Sequence, residues 1–194
     1  MILGITGGTG SGKSVASEFF KNNGFYIMDF DKISRIVTCA NSPCLKELTK
    51  IFGNDILDAD GNLIRRKLGS IVFKSPQKLG ILNEITHKYI LKYAFDDLKK
   101  HTGEDIVFDA PLLFEAQLDK YCQKTLAVIC DTNLRVQRIK QRDNLTEQAA
   151  FDRILSQPQS EYYIQKSDYT VLNNGNIDEF LKELNNVLKQ IKGE

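Results

Sequence analysis

Apolar positions along the 194-residue chain follow two rhythms. Short unbroken runs bounded by Gly, Asn or Asp predict buried strands: Ile2-Leu3-Gly4-Ile5, Phe25-Tyr26-Ile27-Met28, Ile106-Val107-Phe108, Leu126-Ala127-Val128-Ile129-Cys130 and Tyr169-Thr170-Val171-Leu172. Between them the period is helical. Val15, Ala16, Phe19 and Phe20 lead to a stop at Asn22-Asn23-Gly24, and a short helix runs from Lys32 to Thr38. Asp131 stands as cap to a helix ending at Asp143-Asn144, and a further helix spans Thr146 to Leu155. Ile177, Phe180, Leu181, Leu184, Val187, Leu188 and Ile191 line one face of a closing helix.

From Asn41 to His101 the strand signal vanishes. Ser42-Pro43 opens a helix through Ile51, and turns are expected at Phe52-Gly53 and Asp60-Gly61-Asn62. Leu63 to Phe73 fits a short helix, and Leu79 to Leu98, after Ser75-Pro76, fits two more. About sixty helical residues exceed a crossover helix, so the pattern predicts an inserted subdomain that holds a substrate. The β–α alternation around it predicts an α/β fold, a five-stranded parallel sheet wound on both faces. The expected core covers about 1–40, 102–138 and 167–194, the helical subdomain about 41–101 and a helical lid about 139–166.

Composition narrows the function. A length of 194 residues, 42% hydrophobic and 26% charged, suits one soluble domain. The net charge is only +1 and the basic residues interleave with acids, so nothing favours nucleic acid or an anionic membrane. No apolar run approaches a membrane span, and the chain enters its first strand without a basic leader. Cys39, Cys44, Cys122 and Cys130 form no C-x-x-C pair and have no histidine cluster beside them, so reduced thiols and a cytoplasmic location are expected. Nothing in the pattern calls for an obligatory protein partner.

The chemistry concentrates after the first strand. Gly7-Gly8-Thr9-Gly10-Ser11-Gly12-Lys13-Ser14 is a complete G-x-x-x-x-G-K-[ST] loop between a predicted strand and a predicted helix. Glycines let the backbone bring its N–H groups against phosphate oxygens, and the helix directs its positive end to the same place. Lys13 can reach the β- and γ-phosphates, and the Ser14 hydroxyl can ligate Mg²⁺. Gly8, Thr9, Gly10, Ser11, Gly12, Lys13, Ser14 and Val15 are therefore the expected ATP contacts. The alternating glycines do not fit G-x-G-x-x-G, which argues against a nicotinamide cofactor.

Other candidates stand at strand ends. Asp29 and Asp31 follow the second strand, where either can cap the next helix, and where Asp31 can also orient and deprotonate an attacking hydroxyl. Arg35, one turn later, can hold an anionic group. Arg65, Arg66 and His87 are the polar candidates of the insertion, although a lone helical His is commonly a surface residue. Asp109 closes the third strand, where phosphate-loop proteins place a Mg²⁺-side acid. Arg135, Arg138, Lys140 and Arg142 read either as a solvated face or as part of a lid that excludes water.

These stretches resemble the dephospho-coenzyme A kinase family over nearly the whole chain. Gly4 to Ser14 is similar to its opening motif, and Asp29-Phe30-Asp31 with Arg35 to its Asp-Ala-Asp and downstream arginine. Phe52-Gly53, Asp60-Gly61, Leu63, Arg65, Leu68, Val72-Phe73, Ile85 and His87 follow its substrate-domain pattern. Asp109-Ala110-Pro111-Leu112-Leu113-Phe114-Glu115 resembles its most recognisable internal motif. Arg138, Arg142-Asp143, Arg153-Ile154 and Gln157 resemble its lid, and Ser167-Asp168, Val171 and Asn173 its adenine region. Ile64, Lys88 and Phe30 depart from it, standing where the family usually carries Asp, Pro and Ala.

The resemblance implies a P-loop kinase fold and transfer of phosphate from ATP, with Mg²⁺, to the ribose 3′-hydroxyl of dephospho-CoA, the last step of CoA synthesis. It places Arg138 and Asn173 on the nucleotide, Asp31, Arg35, Arg65, His87 and Leu113 on the acceptor, and Ser14 and Asp109 on the metal. Lys13, Asp31 and Arg142 carry the chemistry. Two rivals share parts of the pattern: a kinase of the nucleoside monophosphate type, and a GTPase-like switch, against which the absence of Asn-Lys-x-Asp counts.

Overall fold

Strands that read as continuous apolar runs are those buried on both faces, and they assemble into one sheet. The computed structural model of the chain describes residues 1–193. Strands β1 (Ile2–Thr6), β2 (Tyr26–Asp29), β3 (Ile106–Asp109), β4 (Lys124–Ile129) and β5 (Tyr169–Leu172) form a five-stranded sheet in the order β2-β3-β1-β4-β5. β1 runs parallel to both β3 and β4, and β4 parallel to β5, as the α/β pattern requires. The register sets Ile5 beside Asp109 and Thr6 beside Ala127. Because neighbouring parallel strands end at the same edge, the loop after β1 and the acid closing β3 emerge side by side.

Contacts divide the chain into two units, Met1–Met28 with Gly103–Glu194, and Asp29–Thr102. In the first, Leu3, Ile5, Val107, Leu126, Val128 and Val171 share a core with Ala16 and Phe20 of α1 (Lys13–Asn22). Phe180, Leu184, Val187 and Leu188 of the C-terminal helix (Ile177–Lys192) complete it. Side chains alternate along a strand, so Gly4 faces the other way. There a Cβ on Gly4 would lie 2.8 Å from Leu113 Cδ2 and 2.9 Å from Cys122 Sγ, so the segment after β3 packs directly on the β1 backbone.

The second unit is helical: α2 (Phe30–Val37), α3 (Pro43–Phe52), α4 (Arg65–Val72) and α5 (Pro76–Leu98). Its core gathers Cys44, Leu48, Ile56, Leu68, Val72 and Ile85. By contact α2 belongs here, so the unit begins at Asp29, whereas the sequence pattern set its start near residue 41. Ser42 and Ser75 cap α3 and α5, each with a proline in the first turn. The two helices expected over Leu79–Leu98 are one: α5 runs unbroken for 23 residues. After Pro76 its weakest helix former is Gly80, whose cost of about 1 kcal/mol is too small to end it.

Three more helices follow β4: α6 (Thr132–Asp143), α7 (Glu147–Leu155) and α8 (Ser160–Lys166), with α9 the C-terminal helix. The seven-residue α8 is too short to show a period in sequence. Thr146 caps α7 through the Ala149 N–H, and Asn176 with Glu179 closes a capping box on α9. Asp131 occupies the cap position of α6, but its side chain makes no capping bond. Its N–H instead donates to Asn174 Oδ1 at 2.8 Å, tying α6 to the turn after β5.

Candidate active site

In the loop between β1 and α1 several N–H groups are left open while the carbonyls are taken. Gly12 sits at φ 104°, and a Cβ there would lie 2.0 Å from Asn173 Nδ2, so only glycine fits. The N–H groups of Gly10, Gly12, Lys13 and Ser14 have no hydrogen-bond acceptor among the described residues, and the buried Ser11 hydroxyl has no partner either. The carbonyls are occupied. Asn173 Nδ2 donates to Ser11 O at 2.7 Å, Arg135 Nε to Thr9 O at 2.8 Å, and Arg138 leans on Gly10 O and Ser11 O at 3.4 and 3.5 Å. Orphaned donors converging at a helix N-terminus make an anion cradle.

Asp109 anchors the lysine. Lys13 Nζ pairs with Asp109 Oδ1 and Ser17 Oγ donates to Asp109 Oδ2 at 2.7 Å, with the Lys13 and Asp109 side chains only 16% and 12% exposed. Ser17 escaped the sequence reading. It lies four residues beyond Lys13, and a small polar residue on the buried face of α1 was its only signal. Ser14 is exposed at the start of α1. Among the described residues no group of three or more His, Cys, Asp or Glu side chains could hold a metal. Mg²⁺ takes one or two protein oxygens and leaves the rest to phosphates and water, and Ser14 and Asp109 carry hard oxygen donors of the kind it prefers.

The arginines of α6 divide. Arg135 is 4% exposed, so it belongs to neither a solvated face nor an open lid surface. Arg138 reaches Asn173 O at 3.1 Å, so it and Asn173 both brace the loop from its carbonyl side. Arg142 is exposed and forms a bidentate pair with Asp143 at 2.8 and 2.9 Å, and Asp143 also takes Arg153. The Arg142 hydrogen bonds are the chief cause holding the Asp143 carboxyl at a pKa of about 2. α6 and α7 close on their own cluster of Val136, Ile139, Ala150 and Ile154, with Leu145 from the turn between them.

In the helical unit Asp29, not Asp31, caps α2: its side chain accepts from the Lys32 N–H at 2.9 Å. Asp31 lies exposed in the first turn, with Arg35 four residues on. Arg65 donates to Thr38 Oγ1 at 2.8 Å, and burial, then the nearby Arg35 charge, push its guanidinium pKa down. Neither arginine pairs with a carboxylate among the described residues. Two guanidiniums near enough to repel each other are suited to an anionic ligand. Leu113 is fully buried and packed over Gly4, part of the core of the sheet unit.

His87 lies half-buried on α5, and burial pushes its pKa below 6.5. The folded state therefore favours the neutral imidazole. Its contribution to stability is complete above the unfolded value and is lost as pH falls through the lower folded value. The melting temperature is expected to drop as pH falls from about 6.5 to 5, and to drop less in His87→Asn. Parallel pH curves for the two proteins would remove His87 from this effect.

A parallel sheet, a glycine cradle with its lysine, and an acid on the adjacent strand end define a P-loop phosphotransferase of the small-molecule kinase class. The dephospho-CoA kinase (CoaE) family model matches residues 1–179, and the dephospho-CoA kinase of Fusobacterium nucleatum is 40% identical over 184 residues, 95% of either chain. The chain belongs to the dephospho-CoA kinase family. Among solved structures, TT1252 from Thermus thermophilus superposes with a TM-score of 0.85 at 26% identity, covering 100% of this chain and 96% of that one. Dephospho-CoA kinase from Campylobacter jejuni gives 0.69 at 27% identity, covering 99% and 98%.

Proposed function

We propose that this protein transfers the γ-phosphoryl group of ATP to the ribose 3′-hydroxyl of dephospho-CoA, giving CoA and ADP as the final step of CoA biosynthesis. Family membership supports the reaction, and the Gly7–Ser14 cradle with the Lys13–Asp109–Ser17 cluster is the observation that carries its chemistry. The four orphaned loop N–H groups and Lys13 bind the triphosphate and stabilise charge on the group in flight. Ser14 and Asp109 would hold Mg²⁺, which when bound neutralises phosphate charge. Asp31 orients the acceptor hydroxyl and takes its proton. Arg35 and Arg65 hold acceptor phosphate, and His87 serves the acceptor as a neutral hydrogen-bonding group.

Arg142 is assigned to the lid, where it neutralises charge once freed from Asp143. The lid spans about residues 139–166, from the last turns of α6 through α7 and α8, and the helical unit serves as the acceptor domain. No helix among the described residues is long and apolar enough to cross a membrane, and the four cysteines are unpaired, which supports a reducing, cytoplasmic setting. The test is ADP formation from ATP with each acceptor in turn. Turnover only with dephospho-CoA is expected. Preference for AMP, GMP or CMP would make it a nucleoside monophosphate kinase, and tight GTP binding with slow acceptor-free hydrolysis would make it a switch.

A further inference from the structure

Arg135 holds an unusual position for a charged residue. It is 4% exposed, burial pushes its pKa down, and no carboxylate pairs with it among the described residues. A buried guanidinium normally keeps a counter-ion, because desolvation costs several kcal/mol. Here its partners are dipoles of the phosphate loop and of the segment after α7. Nε donates to Thr9 O at 2.8 Å, and an Nη donates to Gln157 Oε1 at 3.3 Å. The same Gln157 oxygen accepts the Thr9 N–H at 2.8 Å. Both backbone polar groups of Thr9 are thus held in one closed ring.

The loop is shaped around this side chain. A Cβ on Gly8 would lie 2.4 Å from an Arg135 Nη, and one on Gly10 would lie 3.0 Å from the Arg135 carbonyl oxygen. With Lys13 neutralised by Asp109, Arg135 brings an uncompensated charge directly behind Thr9 and Gly8, as Arg138 does beside it behind Gly10 and Ser11. An incoming triphosphate would meet it across a thin layer of glycine backbone, in a setting of low polarity where charges act strongly.

We propose that Arg135 and Gln157 are positioning residues that act as one unit: they fix Thr9, and so the phosphate loop, in its ATP-binding form, and Arg135 adds an unpaired positive charge behind it. This rests on the kinase reading but is read out separately, through binding of Mg·ATP without acceptor. A fluorescent ATP analogue, displaced by ATP, gives the affinity, and the dephospho-CoA assay gives kcat and KM for each substrate.

Arg135→Met is expected to lower kcat/KM for ATP by about 100-fold, as a small loop displacement does, with KM for dephospho-CoA unchanged. Arg135→Lys keeps the charge without the planar fork and should recover about tenfold of that loss. Gln157→Leu should approach the Arg135→Met defect, and the double variant should be no worse than Arg135→Met alone, the mark of a single unit. Gln157→Glu is the decisive control. It keeps both hydrogen bonds and gives Arg135 a counter-ion, so the melting temperature is retained or raised while ATP affinity falls about tenfold. A merely structural role predicts the reverse: lower melting for Arg135→Met with kinetics of the folded protein within twofold of wild type, and no loss in Gln157→Glu. Either result, or losses that multiply in the double variant, overturns the proposal. Wild-type protein that binds ATP yet ignores dephospho-CoA would sink the acceptor assignment and leave the Arg135 result standing.

Discussion

Replacing Lys13 with alanine is expected to cut dephospho-CoA-dependent ADP formation by at least about 10³-fold, or about 4 kcal/mol of transition-state stabilisation. Lys13 is the charged group at the start of α1, beside four backbone donors with no protein acceptor. Those donors bind phosphate but carry no net charge, and the charge that develops in phosphoryl transfer needs a cation held in place beforehand. Asp109 and Ser17 do the holding. The substitution also leaves a nearly buried carboxylate with Ser17 as its remaining partner, so some loss of stability will accompany it. Lys13→Met, which keeps the apolar stem, is the companion variant. Rates are to be normalised to the folded fraction from thermal melts. A variant within tenfold of wild type would take Lys13 out of the transfer step.

Asp31→Asn is expected to lower kcat by about 10²–10⁴-fold, the range for losing a positioned general base, with ATP affinity within about twofold. The amide keeps the shape and removes the proton acceptor. The structure makes this a clean experiment. Asp29 takes the capping bond of α2, so Asp31 is free of that duty and its replacement costs the helix no cap. The interaction of an acid with the helix N-terminus is worth about 0.3–1 kcal/mol at an exposed site, small beside the expected kinetic effect. Steady-state kinetics with both substrates varied, together with the ATP displacement titration, make the measurement. An unchanged kcat would leave the hydroxyl without an assigned base.

The phosphate loop was legible because its chemistry is local. Eight consecutive residues set the backbone angles, the strand before them and the helix after them show in their apolar spacing, and no distant partner is needed to see the cradle. Asp109 was legible for a related reason: an acid closing an apolar run stands at the ligand edge of a parallel sheet wherever that strand falls. Ser17 was not, since its role exists only because β3 lies next to β1 and delivers Asp109 to α1. Arg135 was misread for the same cause. A run of basic residues on a helix resembles a wet face, and only the packing of α6 against Gly8 and Gly10 shows that one of them is buried.

Boundaries followed the same division. The choice between Asp29 and Asp31 as the α2 cap depended on a two-residue difference in where α2 begins, too fine for periodicity to resolve. The α5 region offered apolar residues on several sides, which masked a single long helix as two.

By itself the sequence determined the alternation of strands and helices, the helical insertion and the polyphosphate-binding loop, because backbone preference and hydrophobic period are properties of neighbouring residues. The tertiary structure alone decided which groups hold that loop in shape, that Asp109 grips Lys13, and that Thr9 is ringed by Arg135 and Gln157. Those contacts join residues far apart in the chain, and they exist only once the strand order has set which ends meet.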